Sequence, residues 1–598
     1  MNWKTRLTQP ALQRWEKQPH LLWLLSAFWL VVLSGVAVWL HLGSVGLLDE
    51  TEPLFAEAAR QMTVTGDWIT PYFNQATRFD KPPLIYWITA IAYQIVGVNE
   101  WAARFASALS ATGLTIFGFV TLRRFGFPRP ASQQTAESRY PTALWLSAWI
   151  GAALMVINVQ TIAWGRIGVS DMLLSGCMGS ALMAFFWGYA QSDQPKLQTR
   201  WYLAFYILSA LAVLAKGPVG IVLPGLIILA FLVYMGNWRS VLREMKLVRG
   251  GLLFLAITLP WYVLVILANG EDYIESFFGY HNLERFTRVV NNHSAPVWFY
   301  FAVVPLAFLP WSAYLPIAMA RLRFWEIQRW RQQPRPTHLG LFAVLWFAVI
   351  FGFFTVAATK LPSYTIPLLP AAAILVGLFW SNQMVRQSMS RGIWISHLAN
   401  IGLALLLAVV VFYSPNWMGN EPEMPQLAEL VRQSKITLWG SAIWFTVAVV
   451  ELLMLLRRQS HWIWSVQLVG FIAFLLITLL PAMTIVDAQR QLPLRQLAAT
   501  IVQVQQPEEP VLMIGYRKPS LVFYTQRPIT FIAALSDVPE RLNKLSRRLS
   551  RPRSKVRSLL LIGRPVKLKD AGITPDQYDT IAEAGVFRLA RITVPPRS

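Results

Sequence analysis

Residues 21–53 read LLWLLSAFWLVVLSGVAVWLHLGSVGLLDETEP, and this stretch decides the fold. Its first half is an unbroken apolar run. As a helix rising 1.5 Å per residue, it is long enough to cross a hydrocarbon layer of about 30 Å. Its second half turns polar at Asp49-Glu50-Thr51-Glu52, which places adjacent carboxylates just beyond a span. Ahead of it stand Lys4, Arg6, Arg14 and Lys17, and no small-residue cleavage site follows. The reading is a retained first helix with a cytoplasmic N-terminus.

The rest of the chain repeats the pattern. Of 598 residues, 55% are hydrophobic and only 14% charged, with a mean hydropathy of +0.44. A soluble domain carries about a quarter charged residues, so the natural solvent for this surface is lipid. The 27 Trp suit rings held at membrane–water interfaces. A net charge of +23 would suggest nucleic acid in a soluble chain. Here it falls in short loops between apolar runs, which points to topology and anionic headgroups. Cys177 is the single cysteine, which excludes an intrachain disulfide and a cysteine-based metal site.

Apolar runs at 22–40, 105–122, 142–159, 172–189, 201–215, 219–234, 251–268, 297–319, 339–356, 364–380, 395–413, 438–456 and 464–480 predict about thirteen transmembrane helices. The run 84–97 is too short to cross and reads as interfacial or re-entrant. Basic loops should alternate with acidic or neutral ones. Arg123, Arg124, Arg129 and Arg139 fall on one side, with Lys196 and Arg200, then Arg239, Arg243, Lys246 and Arg249. Arg321, Arg323, Arg329, Arg331 and Arg335 join them, as do Arg386 and Arg391, and Arg457 and Arg458. All share the N-terminal side of a thirteen-span plan, so the C-terminal tail is expected outside. From Asp487 the composition becomes that of a small soluble domain. Strands at 511–514 and 558–562 alternate with helical stretches at 493–504 and 535–549. The expected architecture is an all-α polytopic membrane domain over 1–486, with 43–101 as the first extracytoplasmic loop, and an extracytoplasmic α/β domain over 487–598. The basic run 547–557 reads as a solvated or lipid-facing loop.

The outer side gathers unusual charge. Asp49 and Glu50 follow the first span; Asp80-Lys81-Pro82-Pro83 lies in the first loop; Arg166 and Asp171 flank the fourth span. Lys216 ends the fifth, His281, Glu284 and Arg285 precede the eighth, and Lys360-Leu361-Pro362-Ser363-Tyr364 opens the tenth. One reading of Asp49 is structural: the N-cap of a helix running through Ala56 and Arg60, with Glu52 in its first turn. Snorkelling alone accounts for Lys216. Carboxylates with Lys81, Arg285 and Lys360 on the same face, however, describe an anion site. Outside the cytoplasm there are no nucleotide sugars, so an activated sugar donor there is lipid-linked. Its phosphate leaving group needs cations rather than a general acid, and the acceptor needs a carboxylate base.

These motifs resemble the GT-C class of lipid-linked-sugar glycosyltransferases, above all the bacterial aminoarabinose transferases of lipid A, next to the protein O-mannosyltransferases. The resemblance rests on Asp49-Glu50, on Phe79-Asp80-Lys81-Pro82-Pro83-Leu84-Ile85-Tyr86-Trp87, on Lys360-Leu361-Pro362-Ser363-Tyr364 and on Glu284-Arg285-Phe286. It covers essentially the whole chain and implies a GT-C fold in the inner membrane. It implies inverting transfer of a sugar, aminoarabinose or another pentose or hexose, from an undecaprenyl-phosphate-type donor. The acceptor is a lipid, a glycan or a protein. By the same resemblance Asp49, with Glu50 beside it, and Asp171 take part in catalysis, while Lys81, Arg285 and Tyr364 contact the lipid phosphate, joined by Lys360. The chain departs from the family at Asp80, where Glu is usual, and at Arg78, where an aromatic is common. That Glu holds a metal with a histidine in a family member, so a divalent metal stays open here, with Asp80 and His281 as candidates. A lipid transporter or flippase is the rival class; it predicts repeated halves and polar groups at mid-membrane. A non-catalytic assembly factor is the other rival.

Overall fold

The computed structural model describes residues 18–127, 140–277, 279, 294–387, 389–419, 421–550 and 556–594. Lys4, Arg6, Arg14, Lys17, Arg129, Arg139, His281, Glu284, Arg285 and residues 551–555 of the basic run lie outside these segments.

Among the described residues, ten helices are long and apolar enough to cross a membrane, beginning with Pro19–Trp39 and ending with Ser460–Arg490. Two further candidates are bent pairs: Thr142–Val156 with Val159–Gly165 at 60°, and Phe299–Ala307 with Ser312–Ala320 at 114°. The breaks have local causes. Asn158 caps a new helix by accepting the Thr161 N–H at 2.9 Å. Pro305 lies inside the second pair's first helix and Pro310 between its two halves. With the 17-residue helix Val219–Met235, each of the thirteen expected runs has a helical counterpart, two of them broken. Leu84–Val96 is a helix of only 13 residues. It buries Tyr86 and Tyr93 and leaves Ile91 and Ile95 exposed, so one face packs on the protein and the other stays apolar and uncovered.

The core is deepest around Ser170–Ala190, which packs against Glu100–Phe125 and Pro195–Lys216. Asn99 starts Glu100–Phe125 by accepting the Ala102 N–H. Gly217, at φ +90°, ends Pro195–Lys216 and leaves Lys216 in its last turn.

The C-terminal segment forms a five-stranded mixed sheet in the order β4-β3-β5-β7-β6. Its strands are β3 (Val511–Ile514), β4 (Thr530–Ile532), β5 (Ser558–Gly563), β6 (Asp579–Ala584) and β7 (Phe587–Thr593). β3 pairs in parallel with β4 and β5, and all four of its residues are buried, as a central parallel strand requires. Helices Leu492–Val504 and Val538–Leu549 accompany the sheet. The first loop reaches this domain through the hairpin of β1 (Tyr72–Phe73) and β2 (Ala76–Thr77). At its tip Asn74 exchanges two hydrogen bonds with the Ile529 backbone, at 2.8 and 2.9 Å.

Candidate functional site

The segment after the first span is held by a buried ion pair. Arg104 and Glu52 are each 1% exposed, and the guanidinium donates to the two Glu52 oxygens at 2.8 and 2.9 Å. Arg104 also donates to the carbonyls of Leu42, Val45 and Gly46, and Glu52 accepts from the Leu48 and Gly168 N–H groups. Satisfying both charges this fully is what makes burial tolerable. Gly168 has to be glycine for a close approach: a Cβ there would meet the Ala103 carbonyl oxygen at 2.5 Å. The helix begins at Glu52, and its N-cap position is Thr51. Asp49 therefore does not cap it, which corrects the structural reading of that residue. The Asp49 carboxylate instead accepts the Ser520 N–H at 3.0 Å and the Ser520 hydroxyl at 2.5 Å.

Held this way, Asp49 and Glu50 face a cavity of about 840 Å³. Its other walls carry Arg78, Asp80 and Lys81 from the first loop, Asp171 and Lys216 from two helices, Tyr364 from the Lys-Leu-Pro-Ser-Tyr segment and Arg517 from the C-terminal domain. Residues from five distant parts of the chain thus converge on one volume. Burial pushes the Asp49 carboxyl up to about 6, while Ser520, Lys518 and Arg490 pull the opposite way. Asp171, in the first turn of Ser170–Ala190, accepts the Lys216 ammonium at 2.7 Å. The same ammonium lies 5.5 Å from the centre of the Tyr364 ring. Tyr364 is placed by its neighbours: Tyr300 bonds the Leu361 backbone, and Gln160 bonds the Pro362 carbonyl and Thr365.

Asp80 accepts Arg78 at 2.9 Å and Lys81 at 2.7 Å, and Lys81 is 8% exposed. A divalent ion on Asp80 would meet both cations, so the carboxylate as it stands does not fit a metal. Among the described residues no three His, Cys, Asp or Glu side chains come together. His281 and Arg285 lie outside the described residues. Lys360 does not line the cavity. Its ammonium donates to the carbonyls of Thr355 and Ala357, at 2.7 and 2.8 Å, at the end of helix Leu339–Val356. Lys216 reverses the other way: the sequence suggests snorkelling, and the structure pairs it with Asp171. Arg517 and Ser520 carry no motif signal, since an isolated basic or hydroxyl residue in a loop looks the same whether or not it meets a cavity, and Arg78 stands out in the sequence only as a departure from the family's usual aromatic.

The fold is that of the GT-C membrane glycosyltransferases. It superposes on ArnT from Cupriavidus metallidurans bound to undecaprenyl phosphate with a TM-score of 0.74, at 22% identity, over 95% of this chain and 97% of that one. The sequence is similar to the undecaprenyl phosphate-alpha-4-amino-4-deoxy-L-arabinose arabinosyl transferase of Shewanella sediminis, 29% identical over 64% of each chain. It is similar to a second protein of that name from Pseudomonas fluorescens, 30% identical over 67% of this chain and 63% of the relative. The matched part thus spans a little under two thirds of these relatives' length. The relative in Edwardsiella ictaluri is 26% identical over 78% of this chain and 76% of its own. Residues 504–596 match the C-terminal domain of cyanobacterial RgtA-type glycosyltransferases.

Proposed function

We propose that this multi-pass membrane protein is an inverting glycosyltransferase that moves a sugar from a polyprenyl-phosphate donor to an acceptor at the outer leaflet of the inner membrane. The observation that carries the reading is the convergence of two carboxylates, Asp49 and Asp171, with the cations Lys81, Lys216 and Arg517 around one cavity. The similar proteins' names support undecaprenyl phosphate as the carrier and 4-amino-4-deoxy-L-arabinose as the sugar. Lipid A is then the leading acceptor, ahead of other lipids, glycans or proteins.

Asp49 takes the proton of the acceptor's nucleophile as that atom bonds to the anomeric carbon. The bond from that carbon to the phosphate oxygen breaks, and the electron pair leaves with the polyprenyl phosphate. Lys81, with Arg285 and the Tyr364 hydroxyl, stabilises the charge on the departing phosphate. Asp171, tied to Lys216, orients the acceptor, and Glu50 adds negative potential beside the base. The membrane domain, 1–486, holds the donor, while 487–598 covers the cavity from outside.

The direct test is transfer from a synthetic polyprenyl-phosphate aminoarabinose to lipid A in nanodiscs, followed by mass spectrometry. Lys81→Ala should weaken donor binding, and Lys81→Arg should restore it only partly, because a planar fork does not replace a point charge. The reading fails if the parent binds polyprenyl phosphate yet transfers no sugar. Orientation is tested in a Cys177→Ser background with an impermeant thiol reagent on intact spheroplasts. Cysteine at Gln426 should label and cysteine at Arg329 should not; the reverse pattern overturns the outer-face assignment.

A further inference from the structure

The end of helix Ser460–Arg490 and the C-terminal domain that follows it grip the segment bearing Asp49 at three points. Asp487 accepts the Gly46 N–H at 2.6 Å. The Tyr524 hydroxyl accepts the Leu47 N–H at 2.9 Å and donates to Glu100 at 3.0 Å. Ser520, fully buried, donates its N–H to one Asp49 oxygen and its hydroxyl to the other. The Ser520 loop is itself anchored: Lys518, 3% exposed, pairs with Glu423 at 2.7 Å, and Glu423 also meets Arg490 at 3.5 Å. Pro519 and Arg517 of this loop line the cavity.

We propose that Ser520 is the positioning residue of the reaction: the C-terminal α/β domain reaches across to the membrane domain and aims the Asp49 carboxylate into the cavity. The inference rests on the reading of Asp49 as the base. A carboxylate tethered at one oxygen still swings about its terminal torsion, whereas one tethered at both holds a single plane. The charged groups facing Asp49 are Lys518 and Arg490. Glu50 is next in sequence, Arg517 lies on the same domain, and Arg78, Asp80, Lys81, Asp171 and Lys216 stand on the other cavity walls.

Burial raises Asp49 to about 6 and the Ser520 bonds oppose that rise. Ser520→Ala removes a hydrogen bond that favours the ionised form, so Asp49 should keep its proton to higher pH. The experiment compares parent, Ser520→Ala and Ser520→Thr as full chains in nanodiscs. One readout is the pH dependence of transfer. The other is an infrared titration of the protonated-carboxyl band that vanishes in Asp49→Asn. In Ser520→Ala the acidic limb and the infrared midpoint should both move up by roughly one pH unit. Turnover should fall about fivefold more at pH 6 than at pH 8, with KM for the donor unchanged, and Ser520→Thr should restore the parental profile. A uniform loss at every pH, with the infrared midpoint unmoved, overturns the proposal. If the midpoint moves but even the parent transfers no sugar, the tether stands and the transferase reading falls. If the parent transfers and the midpoint stays, the tether falls alone.

Discussion

The cavity sets Asp49 and Asp171 among Lys81, Lys216 and Arg517, whereas a second buried polar group, between helices Arg391–Trp417, Ile436–Leu456 and Ser460–Arg490, is made of amides around one carboxyl. There Asn400 donates to Glu451 at 2.8 Å, and Gln467 donates to Asn400 at 2.5 Å. Glu451 is fully buried, and among the described residues no cation pairs with it. The amide group ties three helices together, as interhelical polar side chains do in lipid. The cavity does more, because its cations are arranged around empty volume rather than against their counter-ions alone. The proposed reading thus separates the two groups by their company: carboxylates that share a cavity with cations, and a carboxyl held by amides alone.

That contrast is broken most directly at Asp49. Asp49→Asn keeps shape and most hydrogen bonding but cannot take a proton, so turnover should fall by roughly 10²–10⁴-fold while the protein folds and binds donor. Near-parental turnover would move the base to Asp171. As the proposed base, Asp49 works only when ionised. Transfer should therefore fall as pH drops through about 6, the value burial sets for Asp49, and a flat profile between pH 5 and 8 would sink the assignment.

Glu52→Gln tests the scaffold beneath the cavity. It leaves the Arg104 charge buried without its partner, which should cost about 3–5 kcal/mol of stability, read as a lower unfolding temperature in detergent. An unchanged Tm would show that the carbonyls of Leu42, Val45 and Gly46 suffice.

Lys216→Met should reduce transfer by roughly tenfold or more, since it removes a charge-assisted bond to Asp171. Lys360→Met should leave donor affinity within about twofold and lower stability by roughly 0.3–1 kcal/mol, because its ammonium serves a helix end. A large loss of donor binding there would return Lys360 to the phosphate site. The smallest effect is expected at Glu451→Gln, which keeps an acceptor for Asn400; double-mutant cycles between membrane helices give such bonds only about 0.6 kcal/mol. A strong loss of transfer in that variant would erase the distinction between the two polar groups.

Legible in the chain itself were the membrane class, the runs that became helices, the short apolar helix at 84–97, and two of the five C-terminal strands. Each rests on a local excess of apolar residues, large enough to outweigh any tertiary contact. β4, β6 and β7 were not legible: β4 is three residues long, and β6 and β7 carry charges through partly exposed positions, so only pairing makes them strands. The motifs around Asp49, Lys81 and Tyr364 were visible in the chain, but their shared cavity was not. Tertiary structure alone decided that Glu52 meets Arg104 across 52 positions, that Asp49 meets Ser520 across 471, and that Lys216 faces Asp171 while Lys360 turns to carbonyls. The reason is geometric. Hydropathy says that a helix is buried in lipid, but the direction of a side chain at its end depends on how the helix is rotated and where its neighbours stop. For lysines, both outcomes have the same local composition.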